Sequence, residues 1–184
     1  MRFVVYGPYE LKRDAYNSFE KKQNSEFWKE VEKDEPGLSN ACGCYVFRIV
    51  AGKGAKPWYV GKTERQTFKL ECFSPRIMRI YDKAFKGRKS GTAELILLAL
   101  DKKKKGGFRK PAKKDKEAIG VLELLLITRA FEKNPKLLNT QGTKGTDKKL
   151  VVEGILNTPR LAHGGPAKAL RDTFRLPIHK QKLK

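Results

Sequence analysis

Histidine, cysteine and methionine are scarce in this chain, and carboxylates are few. Two histidines and three cysteines in 184 residues leave little for a metal centre built from thiolates or imidazoles. An odd number of cysteines makes no disulfide framework. Cys42 and Cys44 would face the same way on a strand, but no second close pair accompanies them, so reduced structural thiols are expected. His163 and His179 lie in the C-terminal segment without an acidic neighbour. No apolar run approaches the roughly 18 residues of a membrane span. Before Leu11 the only apolar run is Phe3-Val4-Val5, too short for a signal-peptide core. The glycines spell no phosphate loop, since Gly61-Lys62-Thr63 mimics only the tail of one. These absences exclude membrane proteins and small secreted scaffolds, and they lead to the expectation of a cytoplasmic protein.

Positive charge is abundant. Lys and Arg total 41 against 20 Asp and Glu, a formal net charge of +21. The excess is uneven, with 7 basic and 8 acidic residues in 1–40 against 34 and 12 in 41–184. Leu, Ile, Val and Phe make up 46 of 184 residues, or 25%, above the roughly 20% below which highly charged chains stay disordered. A packed core carrying this charge points to a polyanionic partner, because phosphate contacts supply most non-specific nucleic-acid affinity. Nucleic acid is the expected partner, DNA the favoured polymer. The densest run, Asp101 to Lys116, holds nine basic and two acidic residues. It reads as a solvated, mobile loop in which Lys102, Lys103, Lys104, Lys105 and Arg109 grip phosphate.

Asp14 to Glu32, rich in Glu and Lys, offers Ala15, Phe19, Phe27, Trp28 and Val31 as an apolar stripe and ends at Glu35-Pro36-Gly37. Residues 1–40 are therefore expected to form a helical appendage. Cys44 to Val50 and Pro57 to Gly61 read as an antiparallel hairpin, and Glu94 to Leu100 as a third, doubly buried strand. Ser74-Pro75 opens a helix to about Phe85. Lys116 to Lys133 is the best helix in the chain, stopped by Asn134-Pro135. A strand at Leu150 to Leu156 and a helix at Pro166 to Thr173 follow more weakly. The expected class is α+β: a small three-stranded antiparallel sheet flanked by helices, formed by residues 41–140, with residues 141–184 as an extension packed on the same domain.

Glu123 is out of place. On a helix its neighbours within about 60° are Ile119, Gly120, Leu126, Ile127 and Ala130, so a carboxylate stands in the middle of an apolar face. Two explanations stand. One is structural, an ion pair with Arg or Lys or an escape to solvent. The other is a metal ligand or catalytic acid fixed by a rigid helix. The hairpin adds Tyr45 at the start of one strand and Tyr59 near the end of its partner, with Lys62 close by.

Gly43-Cys44-Tyr45 and Tyr59-Val60-Gly61, with Lys62 directly after, resemble the paired signatures of the GIY-YIG nuclease family. Glu123-Leu124-Leu125-Leu126-Ile127 is similar to that family's glutamate-bearing helix, and Asn134 to Asn139 to its closing segment. The resemblance covers roughly residues 41–140. It implies an endonuclease that hydrolyses phosphodiester bonds with one Mg²⁺ or Mn²⁺ held by Glu123. Tyr45 would be the general base, Lys62 would favour its phenolate, Tyr59 would position water or phosphate, and Asn139 would hydrogen-bond within the site. The family's arginine, one turn before a Tyr or His, has no counterpart at the usual distance, where Lys69 stands. Either an insertion at about Glu64 to Ser74 shifts it to Arg76, the favoured position, with Lys69 and Arg79 behind it, or the site lacks this component. The displaced arginine also keeps open a second reading, a nucleic-acid-binding module on a degenerate nuclease fold.

Overall fold

The structure, a computed structural model, describes residues 1–13, 21–52, 54–88, 90–102 and 107–139, with residues 21–23 as backbone alone. The chain divides after Asn139, and all described residues belong to the first unit. The strand expected at 150–156, the helix at 166–173 and the extension 141–184 lie outside the described residues. So do 14–20 of the first helix and Lys103, Lys104 and Lys105 of the basic loop.

Alternating apolar residues build four strands, β1 (Phe3–Leu11), β2 (Gly43–Ala51), β3 (Gly54–Thr63) and β4 (Thr92–Leu100). All pair antiparallel, in the order β1-β4-β2-β3. The expectation of a three-stranded sheet is thus corrected to four strands among the described residues. The extra strand lies in the segment expected to be a helical appendage. Its first residues pair with the far end of β4, Phe3 with Leu100 and Val5 with Leu98. A short, broken apolar run gave no local strand signal, and only β4, far along the sequence, supplies the partner. No boundary falls at residue 40, because Met1–Asn139 is one unit.

Helix α1 (Lys21–Asp34) completes that integration by burying Phe27, Trp28 and Val31 against the sheet. Helix α2 (Phe68–Glu71) is a single turn, and α3 (Pro75–Phe85) begins where expected, with Pro75 in its first turn and Ser74 at the N-cap without a side-chain bond. Helix α4 (Lys116–Lys133) has the expected bounds. One sheet face carries Tyr45, Phe47, Ile49, Leu95 and Leu97 and packs on α1 and α3. The other carries Cys44, Val46, Val60 and Leu98 and packs on Ile119, Ile127 and Ala130 of α4. Both faces are covered. Among the described residues no helix is long and apolar enough to cross a membrane.

Cys42, Cys44 and Cys72 are free and buried. Burial pushes the Cys42 thiol up to about 11 and holds the other two well above their ordinary value. A thiol reagent at about pH 8 should label none of the three in the native protein and all three in guanidinium chloride. Rapid labelling of any one in the native state would contradict this burial.

Candidate active site

Strand β3 lies at one edge of the sheet, and the segment after α4 covers part of that edge. Asn134 Nδ2 donates to the Pro57 carbonyl at 2.7 Å, and the Leu138 amide to the Trp58 carbonyl at 2.9 Å. The Asn139 side chain grips Val60 twice, donating to its carbonyl at 2.7 Å and accepting from its amide at 2.9 Å. These bonds satisfy backbone groups that an exposed edge would present to other chains. Asn139 therefore serves here as a clamp on β3. Asn139→Ala should lower unfolding stability by about 1–3 kcal/mol with little change in the urea m-value, because two hydrogen bonds to part-buried backbone are lost. A loss of activity at unchanged stability would give it a chemical role instead.

Past Val60 the strand continues as Gly61-Lys62-Thr63, and the remaining residues gather around it. On the face toward α3, the Tyr45 ring lies over Gly61 so closely that a Cβ there would collide with Tyr45 Cζ and Oη. The glycine of the second signature is thus room for the tyrosine of the first. Tyr45 and Tyr59 have ring centroids 6.1 Å apart. The Tyr45 hydroxyl is fully buried and makes no hydrogen bond among the described residues. Burial first, then Tyr81, Cys72 and Tyr59, raise its pKa well above 10. Burial also raises that of Tyr59, but here Arg76 works in the opposite direction. The Arg76 guanidinium is shared between the Tyr59 phenol and Glu71, whose Oε1 lies 3.1 Å away. Gln66 donates to the same carboxylate.

On the opposite face Lys62, paired across strands with Cys44, holds its Nζ 3.1 Å from Glu123 and 3.3 Å from Glu64. Burial disfavours the Lys62 charge, but the bonds to Glu123 and Glu64 prevail and raise its pKa. Gly120 on α4 faces the ammonium, and a Cβ there would meet Lys62 Nζ at 3.9 Å, an ordinary contact. Glu123 is part-exposed rather than buried, and its partner is Lys62, the lysine expected beside the tyrosines. One expectation is corrected: Lys62 does not favour the Tyr45 phenolate. Tyr45 and Lys62 stand one position apart in the shared register, which puts them on opposite faces, and Lys62 is not among the groups acting on either phenol. Glu123 bridges the two sides, because its charge raises both Tyr59 and Cys44. The two half-sites thus lie on opposite faces of one edge strand, within four residues of each other along β3.

Among the nucleic-acid-binding candidates, Lys69, Arg79 and Lys102 are exposed. Arg109 is not available: it pairs at 2.7 Å with Asp115, which is fully buried. The ends of the run are anchored, since Asp101 pairs with Phe108 in a β-bridge and Phe108 is buried. Glu64 and Glu71 went unforeseen. Glu64 follows Lys62 by two positions, just past the end of β3, and reaches back to its ammonium. Glu71 precedes Arg76 across a helix break and has no local signal.

Among the described residues no group of three His, Cys, Asp or Glu could hold a metal. A single carboxylate at a polar, part-exposed position still fits Mg²⁺ or Mn²⁺, hard ions that keep several waters and take phosphate oxygens as ligands. Compared with family models, curated proteins and solved structures, the chain matches none.

Proposed function

We propose that the chain is a metal-dependent endonuclease of the GIY-YIG kind, cutting the phosphodiester backbone of nucleic acid, with DNA as the favoured substrate. One observation carries this reading: Arg76 beside Tyr59 on one face of β3, and Lys62 paired with Glu123 on the other, flank the same stretch of that edge strand, next to the Val60 that Asn139 holds. A phosphate at that stretch meets a cation and a phenol on one side and a carboxylate–lysine pair on the other.

Glu123 would hold the Mg²⁺ or Mn²⁺. When bound, such an ion neutralises charge on the phosphoryl oxygens and acidifies water. Arg76, paired with Glu71 but with its side chain 68% exposed, would exchange that surface contact for a phosphate oxygen and stabilise charge that develops there. Lys62 adds a second cation and orients Glu123. Tyr59, with a guanidinium beside it on an edge strand, is the better placed phenol to accept the proton of the attacking water. Tyr45, on an interior strand and sealed under Gly61, positions Tyr59 by packing.

Both phenols are held above their ordinary value, so phenolate is scarce at neutral pH and grows tenfold per unit. Cleavage should rise with a slope near one in log rate between about pH 6 and 9, and this rise should vanish in Tyr59→Phe. The reading itself is tested on plasmid DNA with Mg²⁺, with Mn²⁺ and with EDTA. Cutting with metal and none with chelator supports it. A second reading, a binding module on a degenerate nuclease fold, draws on the engagement of Glu123 by the Lys62 ammonium. Tight binding without cutting under any metal would select it.

A further inference from the structure

The outward face of α3 differs from that of every other helix described. At about 100° per residue, Arg76, Arg79, Lys83 and the C-cap Lys86 fall within about 80° of one another. They lie opposite Ile77, Tyr81, Ala84 and Phe85, which are buried. All four cations are exposed. Among the described residues no carboxylate forms an ion pair with Arg79, Lys83 or Lys86, and Asp82 stands only at the rim of the stripe. On α1, by contrast, Glu26, Lys29, Glu30 and Lys33 alternate in sign. Unpaired cations of one sign along one face repel each other, a cost that a polyanion removes.

The stripe has a direction. It starts at Arg76, the residue that reaches Tyr59, and leads away from the reaction centre. From Arg76 to Lys86 the helix rises about 15 Å, which at about 3.4 Å per nucleotide along a strand spans about four nucleotides.

We infer that the α3 stripe is the seat of the substrate backbone, holding about three phosphates on one side of the bond to be cut, read through charge alone. This rests on the nuclease reading for the position of that bond, but the binding claim stands by itself. The seat makes no base contacts, so grip is independent of sequence and falls with salt. It also sets a length requirement: a substrate trimmed to a single nucleotide on that side loses affinity, while one trimmed on the other side keeps it.

The test measures anisotropy of a short fluorescein-labelled DNA duplex in EDTA, where nothing is cut, across a range of salt. Arg79→Ala/Lys83→Ala/Lys86→Ala should lower the slope of log K against log salt by up to about 0.9 per lost phosphate contact, or roughly 2–3 in all. Lys29→Ala/Lys33→Ala on α1 should leave the slope nearly unchanged, which separates a seat from general charge. Circular dichroism checks that the triple variant is folded; if it is not, Lys83→Gln/Lys86→Gln takes its place. A wild-type slope in the folded variant overturns the inference, and so does transfer of the effect to Lys102→Ala/Lys103→Ala/Lys104→Ala/Lys105→Ala. A reduced slope in a protein that never cuts DNA retains the seat and sinks the nuclease reading. Cutting with an unchanged slope does the reverse.

Discussion

Glu123→Gln should yield a protein that folds, binds DNA and does not cut it. The substitution keeps the shape of the side chain and its contact with Lys62 but removes the charge that a divalent ion requires. Cleavage in Mg²⁺ should fall at least about a thousandfold, equivalent to roughly 4 kcal/mol of transition-state stabilisation. Stability should move little. The Lys62 and Glu123 side chains remain 33% and 22% exposed, and pairs so placed contribute about 0–1 kcal/mol once solvent screening is counted. Denaturant unfolding and plasmid nicking on the same preparation give both readings. Retained nicking would remove Glu123 from the chemistry. Unfolding, together with wild-type nicking that is indifferent to EDTA, would make the Lys62 contact a structural ion pair and nothing more.

The two tyrosines should separate. Tyr59→Phe removes the phenol beside Arg76 and should reduce turnover at least about a hundredfold with near-normal substrate affinity. Tyr45→Phe removes a buried hydroxyl that has no partner among the described residues. Since an unsatisfied buried hydroxyl costs about 1–3 kcal/mol, this variant should be more stable than wild type by about 1 kcal/mol and should keep most of its activity. If instead Tyr45→Phe loses as much turnover as Tyr59→Phe, the proton acceptor is the interior phenol. The lack of a protein partner for its hydroxyl would then be the state of a base waiting for water.

Local patterns in the sequence carried far. The bounds of α4, the opening of α3 at Pro75 and the hairpin of β2 and β3 follow from capping residues, a proline and β-branched runs within a few positions of each other. Glu123 stood out because a carboxylate on an apolar face needs a partner, and Lys62 is that partner. What was illegible depends on contacts between distant segments. Strand β1 has meaning only beside β4. The face on which Lys62 lies follows from the cross-strand register, which puts it one position from Tyr45 and so on the opposite face. Arg109 looked like a phosphate-binding cation because nothing nearby in sequence says that Asp115 is folded beneath it. That the Asn139 amide bonds the edge of β3 could not be read from its motif, which does not name Val60 as a partner.

The pairing of Phe3 with Leu100 also sets an order in time. During synthesis the first strand leaves the ribosome long before its partner exists, whereas β2 and β3 close on each other within a few residues. The hairpin can therefore form early, and β1 must wait, unpaired, until β4 is made. Joining the two ends of so long a loop costs entropy before any contact repays it, so docking of β1 should be a late and slow step in refolding. Until then β4 offers an open edge beside Leu95 and Leu97, and chains caught at that stage can pair with one another. Residues 41–139 expressed without the first forty would remain at that stage permanently, and should be recovered as soluble aggregates rather than as a minimal domain.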